Sequence, residues 1–384
     1  MSAAIEPFRI EIDEAVLTDL KERLARTRWP DQIPDTAWDY GTELAYLREL
    51  CTYWRDKYDW RAQEARLNRL SHFRTTIDGQ PVHFVHERSP HEDATPLVLT
   101  HGWPGSFLIF SKVIEPLTNP TAHGGRAEDA FHVVCPSLPG YGFSGPTRER
   151  GWDPQRIAEA EIELMRRLGY ERYGAQGGDW GSIITTQIGR LDPEHCAGIH
   201  LNLTIAFPPD PANPDAGLTD EEKQWVAESE AFRAAETGYY QIQGTKPQTL
   251  AYGLNDSPAG LAGWIVEKFR TWSDCAGDVE SRYTKDELLT NITLYWVTGT
   301  INSSTRLYYE TMKSGRVGFT QGRVEVPTGC AIFPKEIFRS PRSWMENVYN
   351  VTHWTEMPKG GHFAALEEPE LLVEDVRRFF ASLR

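Results

Sequence analysis

An aspartate, Asp179, stands at the centre of the glycine-rich segment GGDWG at residues 177–181. Small residues two positions before and after a central residue permit a sharp turn from a strand into a helix, which presents the central side chain in a cleft. The hydrolase motif of this geometry is G-x-S-x-G, which occurs nowhere in this chain, so a serine esterase or lipase is disfavoured. A carboxylate is ionised at pH 7 and can attack a carbon atom without a general base. Asp179 is therefore a candidate nucleophile; the alternative is a glycine-rich loop whose aspartate only caps a helix.

A second glycine-rich turn, HGWPG at residues 101–105, directly follows an apolar run that predicts a strand. In hydrolases that carry a nucleophile on such a turn, this loop and the residue after the nucleophile each aim a main-chain N–H at the developing oxyanion. Those donors would belong to Trp103 and Trp180. We also expect His101, Trp103 and Pro104 to contact substrate. The alternative is an ordinary turn in which the His101 and Trp103 side chains only pack.

A candidate base, His362, lies in the segment GGHF at residues 360–363 and is the last of the eleven histidines. A lone histidine is more often structural, but the order along the chain favours catalysis, because nucleophile, acid and histidine follow one another in α/β-hydrolases. The acid must then lie between Asp179 and His362, at the end of a strand. Glu336 follows the apolar run 330–333 and meets this requirement.

Other acids fit this position less well. The end of the predicted strand at 199–203 offers only Asn202 and Thr204, which are not carboxylates. Glu325 stands at the wrong end of its strand, and Glu356 is a weaker candidate than Glu336.

Hydrophobic periodicity predicts the elements that must position these residues. Helical spacing follows Asp13 and ends at Trp29-Pro30, and a second helical stretch runs from Leu44 to Trp54. Asp78-Gly79, between two alternating runs, predicts a β-hairpin. Strands and helices then alternate as in a mostly parallel sheet. Strand character is absent from about residue 207 to 322, where a helical insertion is expected, and returns at 324–333 and near Val351 before a final helix at 371–383.

Composition excludes several function classes. The 384 residues carry 55 acidic and 40 basic side chains, a formal charge of −15, and no basic run, which argues against a nucleic-acid partner. The five cysteines are too scattered for a disulfide framework or a metal-thiolate site and are expected to be reduced core residues. The first 13 residues contain Glu6, Arg9 and Glu11, unlike a signal peptide, and no run of about 18 apolar residues follows. We therefore expect a cytoplasmic protein without a membrane anchor.

Taken together, the segments HGWPG, PGYGFSG, GGDWG, FPKE and GGHFAALEEP resemble those of the microsomal-type epoxide hydrolases. The resemblance covers nearly the whole chain. It implies an α/β-hydrolase fold with a mostly parallel sheet, an N-terminal helical meander and an inserted all-helical lid. On this basis we expect an N-terminal region at 1–72, core segments at 73–206 and 323–384, and a lid at 207–322.

The resemblance also implies roles for individual residues. It places the nucleophile on Asp179, the base on His362 and the orienting carboxylate on Glu336. The two lid tyrosines that protonate the epoxide oxygen fall on Tyr239 and Tyr308. Each of them has a tyrosine neighbour, Tyr240 or Tyr309, that could take its place.

The expected reaction converts an epoxide and water to a vicinal diol through an ester of Asp179. The expected substrate is a small hydrophobic, aromatic epoxide, with no metal and no cofactor, and a homodimer is compatible with this interpretation. Relatives in the family serve detoxification, hormone turnover and natural-product pathways, including those of enediyne antibiotics.

Two rival functions share parts of this pattern. A haloalkane dehalogenase also forms an aspartyl ester and often has Asp-Trp at the nucleophile, but halide release needs N–H donors, whereas alkoxide release needs an acid such as the two tyrosines. A non-catalytic ligand-binding protein can keep the same fold. It would have no use for the combination of Asp179, Glu336 and His362.

Overall fold

The computed structural model describes residues 4–315 and 322–384. Residues 1–3 of the expected N-terminal region and residues 316–321 of the expected lid lie outside the described residues. Within them, nine strands form one sheet in the order β1-β2-β3-β5-β4-β6-β7-β8-β9. The strands are β1 (Glu6–Pro7), β2 (His72–Ile77), β3 (Gln80–Glu87), β4 (Thr95–Thr100), β5 (Phe131–Pro136), β6 (Tyr173–Gly177), β7 (Cys196–Leu201), β8 (Val324–Ile332) and β9 (Tyr349–Glu356).

The sheet is antiparallel from β1 to β5 and parallel from β5 to β9. The predicted hairpin is confirmed: β2 and β3 pair around Asp78 and Gly79, whose φ angles of 49° and 74° fit a tight two-residue turn. The short strand β1, which the periodicity did not indicate, extends the sheet from the N-terminal region by pairing with β2.

Fifteen α-helices lie within the described ranges. They are α1 (Glu14–Ala25), α2 (Leu44–Asp56), α3 (Trp60–Leu67), α4 (Ile114–Thr118), α5 (Pro154–Arg167), α6 (Trp180–Leu191), α7 (Asp220–Glu236), α8 (Gly238–Thr245), α9 (Pro247–Leu254), α10 (Pro258–Trp272), α11 (Lys285–Thr298), α12 (Ile301–Ser314), α13 (Arg342–Val348), α14 (Ala364–Glu367) and α15 (Pro369–Ala381). The helix expected after Asp13 is confirmed as α1, which Asp13 caps by accepting from Ala15 N–H.

Helices cover both faces of the sheet. Gly198 of β7 faces Phe379 of α15, whereas the next residue, Ile199, faces Gly189 of α6. Because successive side chains of a strand point to opposite faces, α6 and α15 lie on opposite sides. The glycine-rich loops HGWPG and GGDWG lie at the edge of the sheet where β4 and β6 end, so the sheet positions the candidate site at this edge.

The described helices between β7 and β8, α7 to α12, form the insertion that the sequence predicts. The N-terminal region braces it: Trp54 Nε1 of α2 donates to Thr293 Oγ1 at 2.9 Å, and the Tyr58 hydroxyl donates to Thr290 Oγ1 at 3.1 Å. Both threonines belong to α11, so this helix is fixed from outside by α2 and the turn that follows it.

All five cysteines lie in the described residues as buried thiols, as expected. None of the helices in the described ranges combines the length and the apolar character that crossing a bilayer requires.

Candidate active site

Asp179 occupies the turn between β6 and α6. Its φ of 53° and ψ of −131° place it in a backbone conformation that non-glycine residues rarely adopt. A side chain at Gly102 would collide with the Asp179 carboxylate, and one at Gly181 would collide with the carbonyl oxygen of Thr100. The two glycines are therefore required by the close approach of the two turns, and the strained backbone lifts the Asp179 side chain above the sheet edge.

The turn after β4 holds one oxygen of this carboxylate. The main-chain N–H of Trp103 donates to Asp179 Oδ1 at 2.7 Å. Trp180 is the first residue of α6, so its N–H belongs to the first helical turn, whose donors have no intrahelical acceptor. Of the two predicted main-chain donors, that of Trp103 therefore binds the Asp179 carboxylate, and that of Trp180 follows Asp179 directly in the chain.

His362 faces the other oxygen. Its Nε2 lies 3.3 Å from Asp179 Oδ2, an ion-pair distance, and its Nδ1 lies 2.6 Å from Glu336 Oε1. Oε1 of Glu336 also accepts from the N–H of Ile337 at 2.6 Å, which fixes the carboxylate. Glu336 follows β8 and His362 follows β9, as the order along the chain predicts.

The electrostatics of this cluster favour a protonated imidazole at rest. Burial alone lowers the pKa of His362, but the carboxylates of Glu336 and Asp179 outweigh burial and raise this pKa to about 10. Any event that neutralises Asp179 therefore lowers the pKa of His362 and makes the imidazole a better base.

Two lid tyrosines complete the site. The Tyr239 ring of α8 stacks on Trp103 at a centroid distance of 5.5 Å, and the Tyr308 ring of α12 meets Trp103 and Trp180 edge-on at 5.9 and 4.7 Å. Burial raises the pKa of both phenols well above 10, and the negative charge of Asp179 adds to the increase. Both phenols are therefore protonated at neutral pH. The buried Tyr308 hydroxyl has no hydrogen-bond partner among the described residues.

The neighbouring tyrosines lie differently. Tyr240 packs against the Tyr308 ring at 5.3 Å, and the charge of Asp179 does not contribute to its raised pKa, which follows from burial. The Tyr309 ring lies 5.6 Å from the ammonium of Lys313. These contacts favour Tyr239 and Tyr308 as the groups that face Asp179.

A cavity of about 20 Å³ lies beside the Asp179 carboxylate, lined among others by Trp103, Asp179 and His362. It has room for about one water molecule and not for an organic substrate. A much wider cleft of about 770 Å³, lined among others by Tyr239 and Lys268, opens on the lid. The ammonium of Lys268 lies 4.7 Å from the Tyr239 ring centre, so Tyr239 separates this cleft from Trp103.

The other two residues expected to bind substrate lie deeper. His101 is fully buried; its Nε2 accepts from Leu138 N–H at 3.2 Å, and its Nδ1 lies 3.1 Å from the Gly102 carbonyl oxygen. Burial lowers its pKa to about 4, so the ring is neutral and supports the turn. The carbonyl of Pro104 accepts from Asn291 Nδ2 at 2.8 Å. Substrate contact by either side chain stays a prediction.

Asn291 and Tyr295 were not among the residues predicted for the site. Tyr295 donates its hydroxyl proton to the Gly105 carbonyl at 2.6 Å, while Asn291 binds Pro104 and also accepts from the Ser106 hydroxyl. Both belong to α11 and lie one helical turn apart on the face that meets the turn after β4. Their spacing of four residues is the one sequence feature that could have indicated that both face the same neighbouring turn. Such a polar pair is equally typical of a solvated helix face, so the spacing alone does not predict the contact.

The sheet, the strained aspartate turn and the His362–Glu336 pair define an α/β-hydrolase with an aspartate in the turn between β6 and α6. Comparison with known families agrees: residues 5–110 match the family model described as epoxide hydrolase N terminus, and residues 95–255 match that of the alpha/beta hydrolase fold. The chain is 49% identical to a Stigmatella aurantiaca protein provisionally assigned as an epoxide hydrolase, over 99% of this chain and 86% of that protein. It is 40% identical to epoxide hydrolase 1 of Sus scrofa, over 99% and 89% of the two chains.

Among solved structures, the juvenile hormone epoxide hydrolase of the silkworm Bombyx mori superposes with a TM-score of 0.89 at 32% identity, covering 100% of this chain and 95% of that one. The chain therefore belongs to the epoxide hydrolase family and is a hydrolase. The resemblance drawn from the motifs and the expected fold class are confirmed. The domain boundaries, the homodimer and the cytoplasmic location stay predictions.

Proposed function

We propose that this protein hydrolyses epoxides to vicinal diols through a covalent ester of Asp179. The observation that carries the proposal is the arrangement around one carboxylate: Trp103 N–H holds Oδ1, His362 faces Oδ2, and the protonated phenols of Tyr239 and Tyr308 both pack against the indole of Trp103. A carboxylate nucleophile opposite two neutral acids suits the opening of a strained ring whose oxygen must gain a proton.

In the first step, Asp179 Oδ2 attacks a ring carbon of the epoxide, and the bond from that carbon to the ring oxygen breaks. The electron pair goes to the ring oxygen, which takes a proton from Tyr239 or Tyr308 as charge develops. The carboxylate becomes a neutral ester, and the phenol that gave its proton becomes a phenolate until it is reprotonated.

In the second step, water attacks the ester carbon. Because the ester no longer carries the charge of Asp179, the pKa of His362 falls and the neutral imidazole accepts a proton from water, while Glu336 stabilises the resulting imidazolium. The main-chain donors at Trp103 and Trp180 bind the tetrahedral oxyanion; losing one such donor typically costs about 2.7–4 kcal/mol of transition-state stabilisation. The bond from Cγ of Asp179 to Oδ2 then breaks, Oδ2 takes the proton that His362 gained, and the diol leaves. The proton of the regenerated Asp179 carboxyl group returns to the phenolate.

The walls of the site favour an apolar, aromatic epoxide. The rings of Trp103, Tyr239 and Trp272 lie within 5.2–6.3 Å of one another and are buried. Because the cavity at Asp179 holds about one water, we infer that Tyr239 and its neighbours shift when substrate enters from the wide cleft.

A second candidate function, hydrolytic dehalogenation, is favoured by one observation. The indole N–H groups of Trp103 and Trp272 are buried and have no hydrogen-bond partner in the described part of the chain. N–H donors of this kind could bind a departing halide, and the same aspartyl ester would follow.

Turnover of a panel of aryl and alkyl epoxides, with matched bromoalkanes and chloroalkanes, tests the proposal. We expect diol from epoxides and no halide release. Halide release without diol formation would refute epoxide hydrolysis and support dehalogenation instead. The absence of both products would refute both functions.

A further inference from the structure

Glu367, in the segment after His362, is a buried carboxylate that the proposed reaction does not use. Its side chain is directed back at the loop that carries the histidine. Oε1 accepts from Phe363 N–H at 2.9 Å, and Oε2 accepts from Gly361 N–H at 3.0 Å. One carboxylate thus binds the main chain on both sides of His362.

The same carboxylate reaches the lid. Oε2 also accepts from the N–H of Asp274 at 2.8 Å, two residues beyond the end of α10. The N–H of His362 itself donates to the Trp272 carbonyl at 2.9 Å. A side chain at Gly361 would collide with this lid segment, so the loop and the lid lie in tight contact.

We propose that Glu367 is a positioning residue for His362, which holds the histidine loop against the end of α10 so that the imidazole reaches the water that hydrolyses the ester. This inference rests on the proposed function. Glu367 does not contact Asp179 in any hydrogen bond of the described residues, so it serves ester hydrolysis and leaves ester formation to Asp179 and the tyrosines.

The energetics support a functional reason for keeping a carboxyl group here. Burial raises the pKa of Glu367 to about 7, which makes the charged form costly, while the N–H groups of Asp274 and Phe363 and the charge of His362 oppose that increase. An apolar side chain would leave two buried N–H groups and one partly buried N–H group without an acceptor. The carboxylate is the side chain that can accept all three hydrogen bonds.

Steady-state kinetics of Glu367→Gln separates positioning from a purely structural role. The amide keeps one acceptor oxygen but presents an NH₂ group to at least one N–H donor. In a two-step reaction, slower ester hydrolysis lowers kcat and KM by the same factor and leaves kcat/KM unchanged. We expect kcat and KM each to fall by about 10-fold or more, with the ester accumulating as a mass increase of one substrate on the intact protein.

Glu368→Gln is the matched control. Glu368 is equally buried, but its oxygens pair with the side chains of Arg282 at 3.0 Å and Lys359 at 2.6 Å rather than with the main-chain N–H groups on either side of His362. We expect this variant to lose stability and to keep the kcat and KM of the parent. Glu367→Asp, which keeps the charge but shortens the reach, should show the same parallel fall in kcat and KM to a smaller extent, and it provides the test if Glu367→Gln does not fold.

Two results would overturn the inference. One is a fall in kcat at unchanged KM, which reports a smaller active fraction, and the other is unchanged kcat in both Glu367 variants. Failure of the proposed function is distinguishable, because then the parent protein itself would neither turn over epoxides nor form an ester.

Discussion

Trp103 makes the two oxygens of Asp179 chemically different. Its main-chain N–H binds Oδ1 at 2.7 Å and leaves Oδ2 facing His362 Nε2 at 3.3 Å. In the proposed reaction, Oδ1 remains the carbonyl oxygen of the ester and becomes the oxyanion. Oδ2 forms the new bond to substrate and leaves with the product.

Replacing His362 by Gln should separate the two steps. Ring opening needs only the carboxylate and the phenols, so the variant should still be alkylated, but diol release should slow by about 10²–10⁴-fold because the general base is lost. Intact-mass measurement should show a population heavier by one substrate. If the variant is inactive but never gains mass, His362 has a role other than that of the base in ester hydrolysis. If the variant turns over normally, His362 has no role in the reaction.

Replacing the lid phenols should impair the first step. Tyr239→Phe or Tyr308→Phe should each slow ester formation by about 10²-fold or less, since the other phenol remains, and the double variant should be nearly inactive. Single-turnover rates measure this step. Tyr309→Phe, on the same helix as Tyr308, is the control and should react like the parent. A double variant with unimpaired epoxide turnover would refute the assignment, and retained halide release would favour the dehalogenase.

Replacing Glu336 by Gln should move the pH dependence of kcat. Glu336 is the main group that raises the pKa of His362 against burial, so its neutral analogue should lower that pKa in the ester. Because the neutral imidazole is the active form, the acidic limb of the kcat profile should shift to lower pH, while the plateau falls through loss of orientation. A shift of the limb to higher pH would contradict this account of the pair.

Replacing Glu161 by Gln should change how stability depends on pH. Glu161 is buried below β4, where Thr100 Oγ1 donates to its Oε2 at 2.7 Å, and burial raises its pKa from 4.5 to about 8. The folded protein therefore holds this proton more tightly than the unfolded chain, and the free energy of unfolding falls as pH rises between these two values, by roughly 1.4 kcal/mol for each pH unit. In urea unfolding, the variant should match the parent near pH 4.5 and exceed it by a few kcal/mol at pH 9. A difference that does not vary with pH would contradict the prediction.

The sequence predicts those parts of the site that local geometry demands. The strained turn at Asp179 needs small neighbours, so Gly177 and Gly181 predict it from the sequence. The order of Asp179, Glu336 and His362 along the chain follows from the fold. The long-range supports could not be predicted in the same way. Asn291, Tyr295 and Glu367 act through main-chain partners that lie far away in sequence or in an adjoining loop, and no spacing specifies which carbonyl or N–H group a buried polar side chain will meet.

The origin of the product oxygen tests the ester mechanism most directly. With enzyme in excess over epoxide in heavy-oxygen water, the first turnover should yield unlabelled diol, because Oδ2 of Asp179 leaves with the product, and the peptide that contains Asp179 should become heavier by one oxygen label. Labelled diol in that first turnover, with Asp179 unlabelled, would contradict the covalent mechanism and leave Asp179 as a general base for direct attack by water.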